Sequence, residues 1–470
     1  MRRFCSLSVL LCSLAAWLTA ATTPALAAGA KTAARPNLVF ILVDDWRYDV
    51  LGCMGNPIIK TPNIDKLAAR GTLFRNAFVT TSICAVSRVS ILTGQWQRRH
   101  RIDNFATGLN GQPWAQTYAA LLRAAGYRTG FIGKFGVGNA KEIAAKADAF
   151  DFWRGLPGQA GTFFIDKNDP TRKHKTALFG DQALEFLDGC KPGQPFCLSI
   201  SFNAVHARDG QAREYEPDPR DENLYTDITI PIPKLATAAA FERLPDFVKK
   251  SESRKRWQPR FSNPELFQRT LKDYYRLATG VDREVGRIMD ALARLKLADN
   301  TVIIFFGDNG YFLGDRGLAD KWYLYEESVR VPCIVYDPRL PPARQGQKSD
   351  AMVLNVDLAP TMLDLAGLAI PKKMQGKSVA PILKGKIPGD WRTEFFYEHH
   401  TAAKIIPRSE GIRTQRWTYI RWIDPKPAVE ELYDLVNDPL QEKNLALDPA
   451  HAATLADLRA RWEKLSKELE

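Results

Sequence analysis

Short continuous apolar runs recur along the chain without polar alternation: Leu38–Val43, Thr129–Ile132, Phe196–Phe202, Thr301–Phe306 and Val331–Tyr336. Runs of this kind suit strands buried on both faces, as in a parallel sheet covered by helices. Between them lie segments with helical periodicity and clear punctuation. Pro62 to Gly71 opens on proline and stops on glycine, and Thr117 to Gly126, Thr176 to Gly189 and a long stretch from Pro264 to Leu297 follow. The alternation predicts a doubly wound α/β fold, with a large mixed, mostly parallel sheet sandwiched by helices.

Two regions break the pattern. Asp209 to Pro259 is charged, rich in scattered proline and too long for an ordinary connection, which reads equally as a substrate-facing insertion or a surface excursion. After about Gly385 the runs become short and aromatic (Phe395–Tyr397, Gly411–Arg413, Trp417–Trp422), predicting a smaller C-terminal antiparallel-sheet subdomain, closed by a helix from about Pro449. The expected organisation is a leader over 1–27, an α/β domain over 28–385 and the smaller unit over 386–470.

With 470 residues, 45% hydrophobic and 25% charged, the chain is neither a disordered polymer nor a miniprotein. Arg2 and Arg3 precede an apolar run from Leu7 to Leu18, and Ala25-Leu26-Ala27 supplies small residues for cleavage, so the start reads as a secretory signal peptide. That run is shorter than the ~20 residues that cross hydrocarbon, so no stable membrane insertion is expected, and the mature protein is exported, periplasmic or secreted. Losing Arg2 and Arg3 lowers the formal charge from +12 to +10. The basicity favours polyanions in general, and no nucleic-acid motif accompanies it. Cys53, Cys84, Cys190, Cys197 and Cys333 remain, an odd number for an exported chain. Cys190 and Cys197 flank a Lys-Pro-Gly-Gln-Pro turn that a local disulfide would suit.

Polar groups follow the predicted strands: Asp44-Asp45, Lys134, His206 and Asp308-Asn309. In an open parallel sheet, groups at the carboxyl ends of strands converge on one edge, where ligands bind. Asp44, Asp45, Asp308 and Asn309 offer only oxygen, and adjacent carboxylates repel unless a hard cation neutralises them. Zinc or copper would call for nitrogen or sulfur ligands, and the six histidines show no metal-ligand spacing. Calcium is favoured over magnesium because the donor set is nearly all protein. Thr80-Thr81-Ser82 reads as a hydroxyl cap that places Cys84 at a helix start, with Arg88 one turn later on the same face, which together make an anion site.

These segments resemble the type I sulfatases of the alkaline-phosphatase-like superfamily, whose signature begins Cys-x-Pro-Ser-Arg and runs on to Thr-Gly, here Cys84 to Thr93-Gly94. The resemblance extends through Asp44-Asp45, Thr61 to Asp65, Gly133-Lys134, Asp308-Asn309-Gly310, Lys321-Trp322 and Leu432 to Leu435. It implies a sulfuric ester hydrolase acting on O-sulfate groups, with sulfated carbohydrate as the expected substrate class. It also implies that a formylglycine-generating maturation enzyme oxidises Cys84 to Cα-formylglycine, whose hydrate attacks sulfur and then expels sulfate. By the same resemblance Asp44, Asp45, Asp308 and Asn309 bind calcium, Arg88 orients the nucleophile, and Lys134, His206 and Lys321 contact sulfate. His206 and Lys321 are the candidates for protonating the leaving oxygen.

Three positions depart from that pattern. Val86 replaces the proline of the maturation signature. Gly136 stands where relatives carry a histidine that serves as base for sulfate release. Arg316 stands where relatives often show histidine, and is expected to contact substrate. His100, His399 and His400 are the candidates for a replacement base or for lining the substrate pocket. A phosphoester hydrolase on the same scaffold and a catalytically silent glycan-binding relative are the alternatives.

Overall fold

The computed structural model describes residues 1, 35–159, 161–165, 173–401 and 405–470; the leader expected over 1–27 lies outside them apart from Met1. Eight strands make the main sheet: β1 (Asn37–Val43), β2 (Thr72–Phe74), β3 (Arg128–Lys134), β4 (Phe152–Leu156), β5 (Phe196–Ser201), β6 (Thr301–Gly307), β7 (Cys333–Tyr336) and β8 (Gln347–Ser349). Across the sheet they run β8-β2-β7-β6-β1-β5-β3-β4. Every neighbouring pair is parallel except those made by β7, which is antiparallel to both β2 and β6. The chain from Gly307 to Cys333 holds only short elements and never crosses back over the sheet, so it enters β7 from the edge where it left β6.

The uninterrupted apolar run of β1 is explained by its two neighbours in depth. Leu38, Phe40 and Leu42 pack with Val86 and Val89 of α2 (Cys84–Thr93), Leu122 of α3 (Tyr118–Ala124) and Met362 of α6 (Leu358–Leu365). Val39, Ile41 and Val43 point the other way, onto α1 (Pro62–Arg70), α4 (Lys175–Asp188) and α5 (Pro264–Arg294). Each such side chain contributes about 1.5–3 kcal/mol by leaving water. Thr117 and Asn263 cap α3 and α5 by accepting the Ala120 and Leu266 amides.

The segment 209–259 is not a free excursion. Arg260, 1% exposed, is held by Asp209, Glu214 and Asp320, which ties the segment to the residue preceding Lys321. The small sheet is an antiparallel meander of β9 (Glu394–His399), β10 (Ser409–Thr414), β11 (Trp417–Trp422) and β12 (Val429–Asp434). One face takes Leu455 and Leu458 of α7 (Ala452–Glu468); the other meets the main unit, with the Phe395 ring 5.2 Å from that of Phe78 and the Trp422 ring 5.4 Å from that of Tyr323.

The local disulfide expected of Cys190 and Cys197 is absent: both thiols are free. Cys197 points into the core, whereas Cys190 donates to the Phe186 carbonyl and receives Arg128.

Candidate active site

Four parallel strands deliver the predicted groups to one edge. β1 leads directly into Asp44-Asp45 and β6 into Asp308-Asn309, β3 ends at Lys134, and the turn after β5 carries His206. Asp44, Asp45, Asp308 and Asn309 are at most 1% exposed. A ligating atom from each of Asp44, Asp45, Cys84 and His206 lies within 4.8 Å of the others. Asp45 adopts φ 58°, a left-handed conformation that costs energy in a residue with a Cβ. Tyr274 of α5 holds it there by donating to the Asp45 carbonyl at 2.6 Å, and the Asp45 amide donates to Asp308 Oδ1 at 3.2 Å.

Cations compensate the carboxylates one by one. Lys134 Nζ sits 2.6 Å from Asp44 Oδ2, and Lys321 Nζ pairs with Asp45 Oδ1, which also receives Asn309 Nδ2 at 2.6 Å. Arg88 meets Asp308 Oδ2 through Nε at 2.8 Å, and its Nη1 donates to the Lys134 carbonyl and to Ser201 Oγ, both at 2.6 Å. Burial alone would raise the Asp44 carboxyl, but Lys134, His206, Arg88 and Lys321 together hold it well below the usual carboxylate range. Asp308 goes the other way, pushed up to about 7 by burial and by Asp44 against the pull of Arg88.

Three buried oxygens remain without any hydrogen-bond partner: Asp44 Oδ1, Asp45 Oδ2 and Asn309 Oδ1. Orphaned anionic oxygens at this depth are costly unless a cation sits among them. The donors are hard oxygens with unused lone pairs, so the residues present fit calcium.

Cys84 begins α2, every residue of which is buried. The N-cap is Ile83 with no side-chain bond, so the hydroxyl cap expected of Thr80–Ser82 does not form; Ser82 instead donates to the Ser328 carbonyl at 2.7 Å. Burial pushes the Cys84 thiol up to about 12, so unmodified Cys84 is a protonated, weak nucleophile. His206 donates Nδ1–H to the Ala207 carbonyl at 2.6 Å and turns Nε2 toward Asp45 Oδ2, 3.7 Å away. Burial lowers its pKa and Asp45 resists that fall.

The remaining candidates separate. His100 bonds Ser90 Oγ, six residues and about 9 Å of helix rise beyond Cys84, through Nε2 and accepts the Ile102 amide at Nδ1, so both nitrogens are used. Arg316 lies over the Tyr325 ring and donates to the Leu440 and Gln441 carbonyls, tying the C-terminal unit down rather than entering the cluster. Neighbouring strand residues face opposite ways, which splits His399 from His400. His400 pairs with Glu410 at 2.7 Å beside Arg98, on the α7 side. His399 shares its face with Tyr397, whose hydroxyl donates to the Trp322 carbonyl at 2.7 Å and receives the Ser82 amide at 3.4 Å. His399 is fully buried with both ring nitrogens unpartnered. Ser201 and Tyr274 were missed in the sequence. Ser201 ends a predicted strand, a usable signal; Tyr274 is one polar-tipped aromatic within a long helix and gives none.

The sulfatase family model matches residues 36–368, and a model for the N-sulphoglucosamine sulphohydrolase C-terminal region matches 314–468. An N-acetylglucosamine-6-O-sulfatase of Bacteroides thetaiotaomicron is 28% identical over 92% of this chain and 87% of its own length. A solved structure of BT4656 with its substrate D-glucosamine-2-N,6-O-disulfate superposes with TM-score 0.76 at 27% identity, covering 93% and 98% of the two chains. The phosphonate monoester hydrolase of Agrobacterium radiobacter shares the fold, with TM-score 0.77 at 22% identity over 93% and 96%.

Proposed function

We propose, from the premise that this chain belongs to the sulfatase family and is a sulfuric ester hydrolase, that it removes O-sulfate groups from sulfated carbohydrates through a formylglycine made from Cys84 and a calcium ion held by Asp44, Asp45, Asp308 and Asn309. The observation that carries the reading is the set of three orphaned oxygens, on Asp44, Asp45 and Asn309, gathered beside Cys84 and ringed by Lys134, Lys321 and His206. A cation held by those oxygens, together with Lys134 and Lys321, would make a trap for a tetrahedral anion next to a nucleophile position. The relatives' activity on sulfated glucosamine supports the substrate class, and the basic mature chain and its apolar leader support an exported enzyme meeting an anionic glycan. Among the described residues, no helix is long and apolar enough to cross a membrane.

When bound, calcium supplies Lewis-acid stabilisation of charge building on the sulfuryl oxygens. The aldehyde at position 84 supplies, once hydrated, an oxygen nucleophile that the thiol does not offer. The chain's own groups do the rest. Lys134 and Lys321, kept cationic by Asp44 and Asp45 against burial, neutralise the sulfuryl group. Arg88, fixed by three partners, holds the helix start in line. His206, with Nδ1 committed to Ala207, or Lys321 delivers the proton that the departing alkoxide needs.

Mass spectrometry of the Cys84 peptide from the native host, with sulfate release from a panel of sulfated saccharides, tests this. An intact thiol there would favour the silent glycan-binding alternative. Turnover of phosphoesters but of no sulfate ester would favour the phosphoester hydrolase, whose scaffold is shared.

A further inference from the structure

The chain carries a polar group at the carboxyl edge that none of the functional assignments uses. β4 pairs in parallel with β3, Leu156 opposite Lys134, so the turn after β4 emerges on the same edge as the cluster. Gln159 lies in that turn, beside Gly158 with φ +79°. Both ends of its amide, Nε2 and Oε1, are buried and without a partner. Its position is fixed by Gly136, two residues past Lys134 and itself left-handed at φ +73°. A Cβ placed on Gly136 would lie 3.0 Å from Arg88 Cδ, 3.4 Å from Arg88 Nε and 3.5 Å from Gln159 Oε1. The amide thus flanks Arg88 on the side that Gly136 leaves bare, and Arg88 is one helical turn from Cys84.

A primary amide with both ends buried and idle costs free energy unless a partner arrives with a ligand; the Gln97 amide is idle too, but that of Gln159 stands beside Arg88 at the carboxyl edge. We infer that Gln159 is a sulfate-contacting residue, whose Nε2 donates a hydrogen bond to an oxygen of the sulfuryl group beside Arg88. This rests on the sulfate-ester reading of the same cluster. Gln159 moves no proton; it supplies a neutral donor where position 136 has no side chain, and it adds no charge to a site already dense with cations.

The test uses the matured, calcium-loaded enzyme, with inorganic sulfate as calorimetric probe and 4-nitrophenyl sulfate for turnover. Gln159→Met, similar in size but without the donor, and Gln159→Ala are expected to weaken sulfate binding about tenfold and to lower kcat/KM about 100-fold. The thermal midpoint should stay that of the wild type. Gln159→Glu should bind sulfate more weakly than either, by like-charge repulsion. Sulfate affinity at the wild-type level in whichever of these variants folds would overturn the contact and leave the sulfatase reading intact. A wild type that binds sulfate yet cleaves no sulfate ester would defeat that reading and leave the contact standing.

Discussion

Lys134 and Lys321 each neutralise a different member of the adjacent Asp44–Asp45 pair, so on the proposed function the two lysines would serve charge balance and anion capture at once. These roles come apart on substitution. Lys134→Met removes a positive charge from the sulfuryl pocket but leaves the cation ligands, so kcat/KM should fall at least ~100-fold while calcium still binds. Asp44→Asn should instead lose calcium. Initial rates with calorimetric calcium titration separate the two, and a normal rate for Lys134→Met would reduce Lys134 to a counter-ion. At this scale the sequence was informative where chemistry is written in residue type: four oxygen-bearing side chains after strands do gather at one buried edge. It was blind to direction. His399 and His400 are indistinguishable on paper, yet one lies on the strand face of Tyr397 and the other pairs with Glu410 on the far face.

Elements fix what residues alone do not. The α5 helix reaches the site through Tyr274, whose hydroxyl holds the strained Asp45 carbonyl and accepts the Arg47 amide at 3.1 Å. Tyr274→Phe should cost about 1–2 kcal/mol of stability and weaken calcium several-fold, read by urea denaturation and calcium titration. Unchanged calcium affinity would show that Asp45 keeps its conformation unaided. The long apolar runs β1, β5 and β6 were legible because strands buried on both faces carry no alternation. β2 and β8 were not, being three residues each, and neither was β4, an edge strand whose Phe-Trp-Arg-Gly-Leu stays half-exposed. Missing β4 hid Gln159, since a residue after an unrecognised strand looks like any loop residue. The direction of β7 depends on how the chain returns from β6, which periodicity does not encode.

Across the whole molecule, burial sets the response to acid. His100, His174 and His399 are pushed down to about 3, 4 and 3 by burial, so they stay neutral in the folded chain where the unfolded chain would protonate near ~6.5. The unfolded state therefore binds more protons below that pH. Stability should hold above it and fall as pH drops toward 4, by up to ~1.4 kcal/mol per unit for each histidine. Calorimetric midpoints at pH 7.5 and 5 check this, and His174→Gln should narrow the gap between them. Stripping calcium from matured enzyme with a chelator should lower the midpoint and abolish turnover, with calcium restoring both; insensitivity to the chelator would dismiss the metal. The enclosure of α2 carries one more consequence. No residue of that helix has an open face, and Cys84 is 2% exposed. On the proposed function, an oxidising enzyme would have no access to it once the sheet has closed, so conversion would come first and compaction second. Chains that collapse unconverted would then stay unconverted, and the yield of working enzyme would be decided by a race run before the native state exists.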